Sequence, residues 1–335
     1  MTNRFIGCLL AIAFVCQLNL KPAFCQNADE EITDGEIVEE MDDNRLLPNL
    51  PLPTLGGKQF WTDHRWYHGW RLQHNVMTDH WRLLDPKNTR RAWGGRQACQ
   101  KELDAIALAD NTPNATHVVV LIHGLMRTNS SMNLLAESIR RESKIESAAF
   151  GYASTRASIA DHAAAFRDWA ENLPGKPKLS FVGHSLGNIV VRHAIGDWLM
   201  EDQQGVLPRL DRVVMLGPPN NGSSLATKLS RMGLFEILTG KSGIELGPQW
   251  EKIQRKLAVP EVPFAIIAGD LSDSSLRNPL MDREGDLVVT LEETSLPGAE
   301  TLTVPVLHSF LPSDSRAIEP TIRFLNHGTL ATPNP

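Results

Sequence analysis

The sequence predicts an α/β fold in which helices cover both faces of a mostly parallel sheet. Three observations predict it. Short apolar runs alternate with stretches of helical period from residue 117 onward. One of those runs passes through a glycine-flanked turn straight into an amphipathic helix. With 335 residues, 42% hydrophobic and 21% charged, the chain can bury one substantial core, and an α/β domain of about 220 residues with an appendage accounts for the length.

In chain order, residues 1–25 read as an export signal. Arg4 supplies a positive start, Phe5 to Leu20 an apolar stretch, and Ala23-Phe24-Cys25 a small-x-small cleavage site. The expectation is an exported protein, periplasmic or extracellular, or one held by a retained N-terminal membrane anchor. Cys8, Cys16 and Cys25 fall in this segment, so Cys99 alone survives cleavage and no intrachain disulfide is expected. Residues 26–57 are acidic, then proline-rich through Pro48-Asn49-Leu50-Pro51-Leu52-Pro53, and read as a disordered tether and linker.

Residues 58–112 hold Trp61, Trp66, Trp70, Trp81 and Trp93 with His64, His68, His74 and His80. They read as an α-rich piece docked on the main domain, its tryptophans buried there. An aromatic surface touching lipid, cell wall or glycan is the sharper alternative. His64 and His68 have helical spacing, but Gly69 follows and no Cys or HExxH pattern accompanies them, so no metal is expected. Cys99, beside the helix-like run 100–109, reads as a small buried residue.

The main domain spans residues 113–330. Strands are expected near 117–122, 147–152, 179–183, 212–216, 263–268 and 301–307, with helices over 131–143, 158–173 and 186–199. Ile159, Ala163, Phe166 and Ala170 form the buried stripe of one such helix. An insertion at about 220–260 carries Met232, Leu234, Phe235, Ile237, Leu238 and Trp250 among Gly and Ser. It reads either as an apolar cap over a binding cleft or as a helix packed on the domain.

The turn Gly183-His184-Ser185-Leu186-Gly187 has the form of a nucleophile elbow. A serine hydroxyl is a weak nucleophile at its own pKa, so it needs exposure on a tight turn and a nearby base. Gly183 and Gly187 supply room where strand and helix crowd together. This elbow predicts an acid and then a histidine downstream. His308 follows the run Thr301 to Leu307, whereas His327 reads as the end of a helix closed by Gly328. Asp286, in Gly285-Asp286-Leu287-Val288-Val289, is the chosen acid. Asp270, ending the strand Phe264 to Gly269, is the runner-up, and Asp282 and Glu284 are weaker. The loop His123-Gly124-Leu125 after the first strand of the domain should supply one oxyanion donor, the Leu125 amide, and the helix start the other, the Leu186 amide. His123 supports that loop.

Together Val120-Leu121-Ile122-His123-Gly124, the Ser185 turn, Gly217-Pro218-Pro219-Asn220-Asn221-Gly222-Ser223 and Gly285 to Val289 resemble the bacterial lipase and esterase branch of the α/β-hydrolase superfamily, over roughly residues 115–328. The resemblance implies a triad of Ser185, Asp286 and His308, cleavage of carboxylic esters through an acyl-enzyme, and no cofactor. An ester or lipid is the expected substrate, and contact with a membrane or lipid interface is left open. Asn188 departs from the small residue often found after the second glycine. A net charge of -6 and the lack of a basic cluster argue against nucleic acid. Acyl transfer or thioester cleavage would use the same parts, and a non-catalytic surface-binding protein on the same scaffold is the reading from another class.

Overall fold

The computed structural model describes residues 52–53, 58–201, 205–231, 235–276, 278, 280–281 and 284–332, with backbone alone at 52–53, 58 and 235–238. The export signal, the tether up to residue 51, Met232, Leu234 and Asp282 lie outside the described residues, as do the side chains of Phe235, Ile237 and Leu238.

Residues 58–112 correct an expectation, because they form a β-layer with one helix rather than an α-rich piece. The strands are β1 (Leu52–Pro53), β2 (Trp61–Tyr67), β3 (Trp70–Asn75), β4 (Trp81–Leu84) and β5 (Thr89–Gly94), antiparallel in the order β1-β5-β4-β3-β2. The turns decide this. His68 and Gly69 both take positive φ, 44° and 87°, the geometry that closes a two-residue hairpin in step with strand twist. At the next reversal Asp85 Oδ1 accepts from the Lys87 and Thr89 amides at 2.9 and 2.8 Å, and Asn88 takes φ 63°. Between such turns, tryptophan, tyrosine and leucine favour strand over helix. His64 and His68 therefore share no helix face: one lies on a strand, the other in its hairpin. Leu52 and Pro53, expected in the linker, pair with Arg90 and Thr89 as an edge strand, where proline is tolerated.

Helix α1 (Arg96–Ala109) covers one face of this sheet, packing Cys99 and Leu103 on Tyr67, Leu72, Leu83 and Ala92. Burial raises the Cys99 thiol to about 11. Of the five tryptophans here, Trp66 alone joins the main core; the rest are half-buried. Trp81 lies 4.8 Å from both His64 and His74, Trp93 stacks on His80 at 5.2 Å, and the Arg82 guanidinium sits 3.8 Å over Trp61. Histidine and arginine, rather than the main domain, cover most of this aromatic surface.

The large sheet contains β6 (His117–Ile122), β7 (Glu146–Phe150), β8 (Lys178–His184), β9 (Leu210–Leu216), β10 (Phe264–Gly269) and β11 (Glu300–Val304), all parallel, in the order β11-β10-β9-β8-β6-β7. Its helices are α2 (Asn133–Ser143), α3 (Ile159–Glu171), α4 (Leu186–Glu201), α5 (Ser224–Ser230), α6 (Phe235–Leu246), α7 (Trp250–Gln254), α8 (Leu291–Thr294) and α9 (Ser315–His327). Alternation along β6 sorts the two faces. Val118, Val120 and Ile122 meet Phe166, Trp169, Ile189 and Trp198 of α3 and α4, and Val119 and Leu121 meet Leu135, Ile139, Ile322 and Phe324 of α2 and α9. Ser158 and Asp161 cap α3 reciprocally.

The insertion folds as α5 to α7, and Leu246 and Ile253 from it enter the core on the α3 and α4 face. Gly240 bends α6 at φ 63°, where a Cβ would stand 1.8 Å from the Thr155 carbonyl oxygen. Chain order reverses between β6 and β8. In a parallel sheet such a switch opens a crevice at the strands' C-terminal ends, and His123, Gly124 and Ser185 all lie there.

Candidate active site

Ser185 sits between β8 and α4 with φ 53°. This left-handed conformation costs a non-glycine residue about 1 kcal/mol or more and persists only where its surroundings enforce it. The enforcing contacts are identifiable. The Ser185 amide donates to the Leu216 carbonyl at 2.9 Å. Gly187 passes so close to β6 that a Cβ would lie 2.4 Å from the Ile122 carbonyl oxygen, and a Cβ on Gly183 would lie 2.3 Å from Asn188 Oδ1.

Asn188 carries a function the sequence reading missed. Its Nδ2 donates to the Ser185 carbonyl at 3.1 Å and to that of Leu216 at 3.3 Å, so the departure from a small residue ties both sides of the elbow together. The signal available was its place one residue after Gly187, facing Gly183.

His308 follows β11 and opens a short 3-10 turn. Its Nδ1 lies 2.6 Å from Asp286 Oδ2, with both residues buried. Asp286 Oδ1 accepts from the Val288 and Val289 amides at 3.0 and 2.8 Å, and the Asp286 carbonyl accepts from the His308 amide at 3.2 Å. Both ends of the acid are thus fixed. Asp270, the runner-up, accepts instead from the Ser272 amide at 3.0 Å, and Glu284 is exposed. His327 ends α9, exposed, before Gly328 at φ 74°.

His184 joins the two halves of the site. Its Nε2 donates to the His308 carbonyl at 2.9 Å, and the rings are 4.9 Å apart. Burial, and next the neighbouring His308, push its pKa well below the ordinary histidine value, so His184 is neutral with its proton on Nε2. Its Nδ1 is buried without a hydrogen-bond partner among the described residues. Two glycines make room for this pair: a Cβ on Gly217 would stand 3.0 Å from His308 Nδ1, and one on Gly269 would stand 2.5 Å from Asp286 Cβ. The sequence reading gave neither this role, although each follows or ends a strand.

On the other side, Gly124 brings its loop against the elbow, where a Cβ would lie 3.0 Å from Ser185 Cβ. Leu125 and Met126 turn there, Met126 at φ 57°, and the Met126 amide donates to Ser154 Oγ at 3.1 Å. The Leu186 amide opens α4, where an α-helix has no acceptor of its own for it. His123 is fully buried and braces this loop: Nδ1 donates to the Gly124 carbonyl at 2.9 Å, Nε2 accepts from the Tyr152 amide at 3.3 Å, and the Tyr152 hydroxyl donates to the His123 carbonyl at 2.7 Å. Burial lowers its pKa to about 4.

A cavity of about 530 Å³ lies among α5, α7 and α8, lined by Lys228, Trp250, Met281 and Glu292 among others, with neither Ser185 nor His308 in its wall. Among the described residues no group of three or more His, Cys, Asp or Glu side chains is placed to hold a metal ion, and no helix is long and apolar enough to cross a membrane.

The parallel sheet, its switch point and the serine elbow are those of an α/β-hydrolase fold. Residues 112–216 match a family model described as "Putative serine esterase (DUF676)". No curated protein matches the sequence. Similar solved structures include the mature Bacillus licheniformis lipase BlEst2, at 19% identity and TM-score 0.49 over 66% of this chain and 95% of that one. The product of gene lin2722 from Listeria innocua is 20% identical, with TM-score 0.46 over 63% and 94%. The metagenomic carboxyl esterase MGS0156 is 19% identical, with TM-score 0.44 over 59% and 66%.

Proposed function

We propose that the chain hydrolyses carboxylic esters through an acyl-enzyme, with Ser185 as nucleophile, His308 as general base and then acid, and Asp286 orienting the imidazole. One observation carries this reading: a buried His308–Asp286 pair at 2.6 Å is joined, through the hydrogen bond from His184 to the His308 carbonyl, to the turn that holds Ser185 at φ 53°. In the first half, Ser185 Oγ bonds to the ester carbonyl carbon, its proton passes to His308 Nε2, and the leaving alcohol takes that proton as the C–O bond breaks. Water repeats the sequence on the acyl-enzyme and releases the acid. The Leu125 and Leu186 amides stabilise the oxyanion in both halves, each by about 3 kcal/mol in the transition state.

A fluorophosphonate probe tests the reading. Wild type is expected to be labelled and Ser185→Ala not; a folded wild type that stays unlabelled points instead to a surface-binding protein on the same scaffold. A p-nitrophenyl ester series of rising acyl length then separates lipase from esterase, because each methylene buried in the transition state is worth about 0.8 kcal/mol. Export is part of the proposal, resting on Arg4, the apolar run after it and Ala23-Phe24-Cys25. Sequencing the N-terminus of the protein recovered from its host locates cleavage, and an intact Met1 on soluble cytoplasmic protein overturns it.

A further inference from the structure

The loop that carries the Leu125 amide runs on into an arginine that ester cleavage leaves without a role. We propose that Arg127 makes the site selective for esters that carry a negative charge near the scissile bond. This deepens the ester-hydrolase reading and rests on it for the placement of the substrate.

The chain turns back sharply after β6. The Arg127 amide donates to the Gly124 carbonyl at 3.3 Å, and Met126 between them takes φ 57°, so Arg127 is folded back towards the glycine that abuts Ser185. Its side chain then crosses to the histidine side of the site, where Nη2 donates to the carbonyl of Ser309, the residue after His308, at 3.1 Å. Two consecutive carbonyls of the histidine turn are thus held from the serine side, that of His308 by His184 and that of Ser309 by Arg127. Ser309 and Phe310 are exposed, which places the guanidinium at an open edge of the site.

Among the described residues no carboxylate pairs with Arg127, and the Ser309 carbonyl is its acceptor. A guanidinium is always charged and presents more donors than one carbonyl uses. The carboxylate of the site is engaged elsewhere, since Asp286 holds His308 and the Val288 and Val289 amides. An ester with its carbonyl oxygen between the Leu125 and Leu186 amides and its leaving oxygen towards His308 lies between the two walls that Arg127 spans. A carboxylate or phosphate a few bonds from the reacting carbon then meets guanidinium edges that pair with such oxygens two at a time. A methyl group in the same place gains nothing from them. The charge belongs either to the acyl half or to the alcohol half of the substrate, and the two arms of the test distinguish these.

The experiment measures kcat/KM of the full chain on two pairs of esters, each an anion beside its neutral counterpart. Mono-p-nitrophenyl adipate against p-nitrophenyl hexanoate puts the charge on the acyl half, and para-acetoxybenzoate against its methyl ester puts it on the alcohol half. Arg127→Gln is expected to lower the anionic-to-neutral ratio about tenfold in one of the pairs, the loss of one charge-assisted contact, chiefly through KM. Arg127→Lys should keep part of the ratio, and Arg141→Gln, on the exposed face of α2, all of it. Rising sodium chloride should erode the ratio in wild type and leave it flat in Arg127→Gln. Loosening of the histidine turn slows both members of a pair alike and does not move the ratio. Ratios that stay within about twofold of wild type in both pairs, or an equal fall for both members of each, overturn the proposal. Calorimetry on Ser185→Ala reads binding without turnover: monomethyl adipate should bind more tightly than dimethyl adipate, and adding Arg127→Gln should abolish the difference. A wild type that cleaves none of these esters refutes ester hydrolysis, and the anion site then stands or falls on that binding difference.

Discussion

Replacing Asp286 by asparagine changes one atom, and the surrounding hydrogen bonds dictate the consequence. Asp286 Oδ1 faces two donors, the Val288 and Val289 amides, while Oδ2 faces His308 Nδ1. An asparagine keeps its carbonyl towards the two amides, since turning its NH2 there would set donor against donor. The NH2 then points at His308 Nδ1 and forces the imidazole proton onto Nε2. That tautomer cannot accept the Ser185 proton. In triads where this substitution has been measured, kcat falls about 10⁴-fold, equivalent to about 5 kcal/mol of transition-state stabilisation. The assay is kcat and kcat/KM on a short p-nitrophenyl ester, beside a melting curve that should stay within about 1 kcal/mol of wild type because the shape is conserved. Asp270→Asn serves as the internal comparison and should retain near-normal turnover. An Asp286→Asn enzyme within about tenfold of wild type, or an Asp270→Asn enzyme equally disabled, would refute the reasoning.

Other outcomes follow from the same geometry. Gly187→Ala places a methyl group 2.4 Å from a backbone oxygen of β6; we expect a loss of about 3 kcal/mol by denaturant titration, and a loss below 0.5 kcal/mol contradicts the close approach. Asn188→Ala removes the donor to the Ser185 and Leu216 carbonyls and should lower stability by about 1–3 kcal/mol while slowing fluorophosphonate labelling; unchanged labelling would show that the elbow holds without it. His123 and His162 titrate at about 4 and about 3 in the folded chain, in both cases chiefly through burial. Above their unfolded value of about 6.5 both are neutral in either state and pH has no effect through them. Below it the unfolded chain binds more protons, so stability falls from pH 6.5 down towards pH 4, by about 2 kcal/mol for each histidine at pH 5. Denaturation midpoints equal at pH 7 and pH 5 would exclude this linkage.

Much of the large domain was legible in the sequence because its signals are local. The runs 117–122, 179–183 and 263–268 lie within or on strands β6, β8 and β10, and Ser158 begins α3 as its spacing to Asp161 implies. The Trp-rich segment differs from its expected α-rich form for an equally physical reason: the reversals at His68-Gly69 and Asp85-Pro86-Lys87-Asn88 set its aromatic runs as paired strands. Leu52 and Pro53 could not be recognised as an edge strand, since a two-residue strand exists only by virtue of its partner.

The sequence by itself determined the elbow, since Gly183, Ser185 and Gly187 are demanded by the passage from strand to helix, and it determined the order in which serine, acid and histidine occur. Tertiary structure alone sets Asp286 rather than Asp270 against His308, because that pairing depends on which loop meets His308 across β10 and β11. It also decided which glycines make room, what Asn188 ties together, and that Arg82 lies enclosed with Trp61 rather than in water. Local pattern fixes what a segment does with its own backbone; distances between segments come into being only when the sheets are assembled.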